Sequence, residues 1–385
     1  MGSGNSGVEW SSATHFPEAS GMPDMEKGAI ADHGRELSST LLMTQTIRVG
    51  CARLRAGIVG HVFTAEDQRG KGLANTVMTS AIERMRTRRD HIAFLLGIPR
   101  YYERFGYVTV EHYYATLLAC RGTPAGAPGV TVREYRQEDL GAVMAVHALD
   151  NRYRTGSLTR SHEVWTKGPV TRGLRSCVVA VDSRDRLCGY APYAGEGFFF
   201  ARLMAASDLS TSLVVQEAGV RNRAAADALL AHLYTVAAAR NLQHLLFLGP
   251  PDHPLSQAMY QRGGQFRKAV VPDNGGAQAR FVRFDETFAE LAREFTRRCR
   301  AAACLPRRAV VAIATDVGSV RIAWDGRRVT CGECPKPGLR MSSQDLIRHV
   351  FGFMPPPEHE GPAGALLAAL FPAQYAHTWP HDEMI

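Results

Sequence analysis

The sequence predicts an α/β (α+β) protein built on several mixed, mostly antiparallel sheets. Three observations carry this. Apolar runs of strand length, such as Ile92–Leu96 and 242–248, alternate with amphipathic helical stretches such as 71–88 and 225–239. A glycine- and proline-rich segment, 121–129, divides the chain, and a strand–turn–helix–strand pattern seen before it recurs after it. The last hundred or so residues change to a helix, three strands joined by tight turns, and further helix.

Composition bounds the function. A chain of 385 residues holds two or three domains, at about 100–200 residues each. Hydrophobic residues at 45% and charged residues at 21% describe an ordinary globular protein rather than a disordered one. No run approaches the ~18 apolar residues of a membrane span. The opening MGSGNSGVEW has neither the basic nor the apolar stretch of a secretory signal, so a cytoplasmic protein without a membrane span is expected. Eight cysteines are too few for a disulfide scaffold. A net charge of +8 suits an anionic ligand. The basic residues are scattered, however, and are not interleaved with aromatics. The densest run, Arg297-Arg298 with Arg300, falls on a helical face, so no nucleic-acid partner is expected. Cys331-Gly-Glu-Cys334 has zinc-knuckle spacing but no second pair nearby, and no metal is expected.

Residues 1–27 show weak periodicity. Segments 28–32, 37–46 and 47–51 read as a strand hairpin turning at Asp32-His33-Gly34 and again near Gly50, and 57–64 as the next strand. That strand feeds Gln68-Arg69-Gly70-Lys71-Gly72-Leu73-Ala74. The helix that follows, 71–88, carries a stripe of Leu73, Val77, Ala81 and Met85, with Met78 and Ile82 beside it. The first-turn N–H groups of such a helix are unpaired, and its dipole favours negative charge there. Gly70 and Gly72 remove side chains where a phosphate would approach the backbone, and Arg69 and Lys71 add positive charge. A phosphorylated ligand is expected. Ile92–Leu96 is the next, buried strand, stopped by Gly97-Ile98-Pro99. Tyr101-Tyr102-Glu103-Arg104-Phe105-Gly106-Tyr107 is an aromatic turn, and 107–120 continues the same sheet as strands.

Arg69-x-x-Gly72-x-Ala74, followed by a strand and then Tyr102-x-Arg104-Phe105-Gly106-Tyr107, resembles motif A and its sequel in the GNAT N-acetyltransferases. The resemblance implies that the backbone N–H groups of Arg69, Gly70, Lys71, Gly72, Leu73 and Ala74 hold the pyrophosphate of acetyl-CoA. It implies that Val62 and Thr64, with Phe63 between them, bond the pantetheine arm as an extra strand. It also implies that Tyr102 is the general acid for the departing sulfur, a role for which a phenol of pKa ~10 facing a thiolate of pKa ~8.5 is well matched. The family begins with a strand and two helices that line the acceptor site. Here only the first 27 or so residues precede the hairpin and they read poorly as helices, so either that part is shortened or the start of the chain is late.

After the linker, 130–135 reads as a strand, 137–150 as a helix with Glu138 and Asp139 in its first turn, and 177–181 with 187–190 as a hairpin. Then the earlier pattern returns. Arg221-x-x-Ala224-x-Ala226 stands where Arg69-x-x-Gly72-x-Ala74 stood, a helix carries Leu229, Leu233 and Val236, and Tyr260-Gln-Arg262-Gly-Gly264 matches Tyr102 to Gly106. This resembles a second GNAT-type domain. Asn222 and Ala224 replace its glycines and crowd the phosphate approach, so it is read as structural.

The remainder reads as 281–284, a helix 285–303 with Phe288, Leu291, Ala292 and Phe295 inward, and strands 309–315, 319–324 and 327–331. Turns at Val317-Gly318 and Asp325-Gly326 join the strands. A helix capped by Ser342 or Ser343 runs to Gly352, and 365–370 is helical. The order resembles the sterol-carrier-type domain that follows two GNAT domains in the enhanced intracellular survival (Eis-like) acetyltransferases. The expected domains are thus 1–121, 130–284 and 285–385. The resemblance implies homo-oligomers, often hexamers, and a terminal carboxylate acting as general base in the first domain. Here that is the carboxylate of Ile385, after Asp382-Glu383-Met384. His61 is a rival base that strand alternation turns away from the face of Val62. The reading is an acetyl-CoA-dependent acetyl transfer, by direct attack, to a primary amine of aminoglycoside-like, polyamine or lysine type. The alternative is a non-catalytic scaffold binding CoA or an apolar ligand.

Overall fold

The computed structural model describes all residues except 1–6, 14–23, 123, 125, 168, 195–210, 270–274, 335, 337, 381 and 383–385. The chain divides into two units, Met1–Glu111 with Asn274–Gln374, and His112–Asp273 with Tyr375–Met384.

The first unit holds a seven-stranded sheet in the order Glu9–Ser12, Glu26–Asp32, Arg35–Val49, Ala52–Thr64, Ile92–Leu96, Ala277–Phe281, Val108–Thr109. The strand Glu9–Ser12 pairs antiparallel with Glu26–Asp32, so this short start does contain a strand ahead of the hairpin. The segments 37–46 and 47–51, expected as two strands, form one 15-residue strand. Its turn at Gly50 is closed from outside: a Cβ on Gly50 would lie 2.1 Å from Glu294 Cδ, and Glu294 accepts the Cys51 N–H at 2.9 Å.

Among the described residues, only Ala52–Thr64 and Ile92–Leu96 run parallel in this sheet, from Ala56 opposite Ile92 to Val59 opposite Leu95. There the pairing stops. A register shift opposite Ser39–Leu41 marks a bulge, and His61 within it sits in left-handed backbone at φ 47°. A bulge inserts one residue and re-aims the strand. It also breaks the alternation from which the direction of His61 was expected. Beyond it the two strands separate. The helix Leu73–Thr87 covers this sheet through Val77, Met78, Ala81, Ile82 and Met85. Each large apolar side chain so buried contributes about 1.5–3 kcal/mol.

Two strands join sheets other than those expected. Tyr113–Ala119, expected to continue the first sheet, pairs instead with His244–Phe247 and Gln265–Ala269 in the second unit. Ala277–Phe281, from beyond the second repeat, fills the place between Ile92–Leu96 and Val108–Thr109. An apolar run such as Tyr113–Ala119, buried on six of its seven residues, announces a central strand but not its neighbours.

The first unit also contains a four-stranded sheet, Val329–Gly332, Ser319–Trp324, Ala309–Ala314 and Leu339–Arg340, whose short last strand the sequence pattern did not reveal. The helix Phe284–Ala301 buries Phe284, Phe288, Leu291 and Phe295, and Ser343–Phe351 and Gly361–Leu370 complete this part. Ser342 is the cap of the first of these last two helices, accepting the Asp345 N–H at 3.0 Å.

The second unit has an eight-stranded sheet in the order Gln265–Ala269, Tyr113–Ala119, His244–Phe247, Ser212–Val215, Leu187–Ala194, Cys177–Asp182, Val130–Glu134, with Gly219–Val220 also pairing to Leu187–Ala194. Ser212–Val215 and His244–Phe247 are its parallel pair. The helix Arg223–Ala239 packs on it through alanines and Leu229, Leu230 and Leu233. Among the described residues, no helix is long and apolar enough to cross a membrane.

Candidate active site

The separation of Ala52–Thr64 from Ile92–Leu96 opens a cleft of about 550 Å³. One wall is Val62, Phe63 and Thr64. Their main chain pairs with Ser38 and Ser39 on one edge, while on the other edge the ladder to Ile92–Leu96 has ended. Ser38 Oγ donates to the Phe63 carbonyl at 2.7 Å and lies 3.0 Å from Thr64 Oγ1, which fixes this wall from behind.

The second wall is the glycine turn. Gly70 and Gly72 adopt φ of 80° and 81°, and a Cβ on either would meet nothing within 4 Å. The glycines are therefore demanded by left-handed backbone, and the space above them is open. Gly72 is the N-cap of Leu73–Thr87, and no side chain caps the helix. Helical bonding begins where the Thr76 N–H donates to the Gly72 carbonyl at 3.2 Å. The N–H groups of Leu73, Ala74 and Asn75 have no helical acceptor, and no acidic residue stands in the first turn. Such an end fits a phosphate. Arg69, Leu73 and Ala74 line the cleft. Lys71 is exposed and directs its ammonium to Gln68 Oε1 at 3.0 Å.

The third side is Ile98, Tyr101, Tyr102 and Arg104. Tyr102 is only 8% exposed. It meets Tyr101 edge-on at a centroid distance of 4.9 Å and Tyr107 at 6.1 Å. Burial, with a smaller contribution from Tyr101, pushes its phenol up to about 12. The group is protonated throughout the neutral range and can give a proton. Gly97 makes room for it, because a Cβ there would be 2.4 Å from Tyr102 Cε2. The Arg104 guanidinium lies 4.3 Å from the centre of the Tyr101 ring.

The structure thus brings Val62, Phe63, Thr64, Arg69, Gly70, Gly72, Leu73, Ala74 and Tyr102 to one cleft. Ile385 lies outside the described residues. Gly97, Ile98, Asn75 and Arg104 were not singled out from the sequence as site residues. Ile98, an apolar side chain 58% exposed just past a strand end, carried the faint signal of Gly-Ile-Pro. His61 is exposed on the bulge. Among the described residues no group of three or more His, Cys, Asp or Glu is placed to hold a metal.

The second unit differs at its helix start and at its matching tyrosine. Asn222 is extended at φ −158° and accepts the Ala225 N–H on its own side chain at 2.9 Å. Tyr260 is 64% exposed at the end of the helix Pro254–Tyr260.

Residues 22–110 match the family described as the acetyltransferase (GNAT) domain. No curated protein matches the chain in sequence. Among solved structures, the chain resembles a GCN5-related N-acetyltransferase from Kribbella flavida at TM-score 0.67 and 16% identity, over 91% of this chain and 86% of that one. It resembles a second, from Anabaena variabilis, at 0.66 and 11%, over 86% and 82%. It resembles Eis1 from Mycobacterium abscessus at 0.58 and 16%, over 85% and 80%. At these identities the structural likenesses speak to fold alone. The match over residues 22–110 gives the chain a GNAT acetyltransferase domain, and with it the enzyme class of a GNAT-type N-acetyltransferase that carries out acyl-CoA-dependent acetyl transfer.

Proposed function

We propose that the cleft beside Leu73–Thr87 binds acetyl-CoA and that the chain transfers its acetyl group to a primary amine, of aminoglycoside-like, polyamine or lysine type. One observation carries this reading: an uncapped helix start and a buried, protonated tyrosine share one cleft. Backbone N–H groups of Gly70, Gly72, Leu73 and Ala74 hold the pyrophosphate, those of Arg69 and Lys71 being bonded already to the Glu66 and Gln68 carbonyls at 3.2 and 3.4 Å, and the free strand edge of Val62–Thr64 takes the pantetheine amides. The amine nitrogen attacks the thioester carbonyl carbon, the C–S bond breaks, and the thiolate takes the Tyr102 proton, which solvent then replaces. The proton lost by the amine goes to a base, for which we favour the terminal carboxylate of Ile385. Eis1, at the fold level, is a neighbour consistent with an Eis-like arrangement. In that arrangement the chain has a catalytic domain in 1–121, a degenerate one in 130–284 and a sterol-carrier-type domain in 285–385, with Tyr113–Ala119 and Ala277–Phe281 each lending a strand to the other GNAT-type sheet, in a cytoplasmic homo-oligomer.

The test is release of free thiol from acetyl-CoA with a panel of polyamines, aminoglycosides and lysine peptides. Amine-dependent release supports the enzyme. Tight binding of acetyl-CoA with no release for any acceptor would favour a scaffold.

A further inference from the structure

In the second unit the parallel pairing of Ser212–Val215 with His244–Phe247 ends at Val215, as the first unit's parallel pairing ends at Val59. In the first unit the space beyond that point is the open cleft. In the second unit it is full. Trp379, with no exposed surface, shares a core with Val215, Phe247 and the first-turn alanines Ala225 and Ala226. Its Nε1 donates to Asn151 Oδ1 at 2.9 Å. The chain around it is held by its backbone and by a hydroxyl: the His377 N–H donates to the Thr155 carbonyl at 2.9 Å, and Thr378 Oγ1 to the Gly156 carbonyl at 3.0 Å.

The segment ends on a buried charge cluster. Arg160 Nε donates to Asp382 at 2.6 Å, and its two terminal nitrogens grip Glu217 at 3.0 and 2.5 Å. All three side chains are 1% exposed. Glu217 sits in the break between Ser212–Val215 and Gly219–Val220, at the point where the corresponding cleft of the first unit opens. Chain ends fray unless something ties them down. Charges are buried only against a large desolvation cost that good geometry must offset. Here the offset is a guanidinium shared by two carboxylates, one from the unit and one from the tail.

We propose that the degenerate cleft of the second unit is a socket for the chain's own residues 375–380 and Asp382, and that Arg160 is a positioning residue holding them through Asp382. The socket stands on the geometry alone. Its consequence for catalysis, that it sets where the last three residues begin, rests on the reading of Ile385 as the base.

The test uses the full chain and the variant Asp382→Asn, which leaves the Arg160–Glu217 pair intact. Hydrogen exchange followed by mass spectrometry reads the amides of 377–382. Exchange should be slow in the native chain and faster in the variant by about tenfold or more, the weight of one charge-assisted hydrogen bond. Asn151→Ala, which removes the Trp379 bond, should act in the same direction, and Asp382→Glu should restore most of the protection. Exchange unchanged in both Asp382→Asn and Asn151→Ala would overturn the socket. In the same samples kcat should fall by about tenfold while the Kd for acetyl-CoA is unchanged. A loosened segment with unaltered kcat would leave the socket standing and sink the terminal carboxylate as base.

Discussion

The side chain of Asn222 accepts the N–H of Ala225 at 2.9 Å and so closes the start of Arg223–Ala239, whereas Gly72, at the matching helix start, offers no side chain and leaves Leu73–Thr87 open. One helix end satisfies itself and the other leaves its first N–H groups without a side-chain partner. Substituting Asn222→Ala should lower stability by about 1 kcal/mol and leave acetyl-CoA affinity as it was. Gly70→Ala and Gly72→Ala should each strain left-handed backbone by roughly 1–2 kcal/mol and weaken acetyl-CoA binding. Calorimetric titration together with thermal unfolding separates the two classes. Equal effects on binding from both would refute the contrast.

Tyr102→Phe keeps the ring and removes the proton. It should lower kcat by about a hundredfold or more while the Kd for acetyl-CoA stays within a few-fold. Burial, and then Tyr101, pushes the phenol up to about 12, above the ordinary tyrosine value. A raised folded-state pKa contributes stability that is fully present below pH ~10 and lost as pH rises from there through the folded value. Native protein should therefore lose stability relative to Tyr102→Phe only above pH ~10, which chemical denaturation at pH 8 and near pH 11 can check.

Gly97→Ala places a methyl 2.4 Å from the Tyr102 ring in the unrelaxed structure. Overpacking of this kind costs about 1–3 kcal/mol. Its cost should shrink in the background of Tyr102→Ala, because the ring it strikes is gone. A double-mutant cycle on unfolding free energy measures this, and strict additivity would show that the two residues do not meet in solution.

Glu294 supports the first unit from beneath its long hairpin. Burial alone would raise its pKa, but Arg297, Arg298 and the Cys51 N–H outweigh it and hold the carboxyl at about 2. A depressed folded-state pKa contributes stability that is present above the unfolded value of ~4.3 and is lost as pH falls through the folded value. Glu294→Gln should cost about 3–5 kcal/mol at pH 7, since Arg298 is left buried beside a neutral group. The difference from the native chain should narrow between pH 4 and pH 2, as urea unfolding across that range would show.

Much of the candidate site was legible because its determinants are local. A left-handed turn calls for glycine, an uncapped helix start offers N–H groups, and a 3–4 spacing of Val77, Ala81 and Met85 buries one face wherever the helix lies. Burial of Tyr102 was not legible, since it depends on Gly97 and Tyr107 meeting around the ring. Nor was the contrast with exposed Tyr260, although both occupy the same place in the repeated pattern.

The sequence by itself determined the two copies of the strand–turn–helix unit, the intact and the altered glycine turn, and the chemistry these turns allow. Only the tertiary structure decided that Tyr113–Ala119 and Ala277–Phe281 join sheets other than those of their sequence neighbours, that a bulge at His61 opens the cleft, and that Arg160 meets Asp382 across 222 residues. The physical reason is range. Backbone conformation and helix capping are set by a few consecutive residues, whereas strand partners and buried ion pairs are selected by packing on every side at once, for which short-range periodicity carries no record.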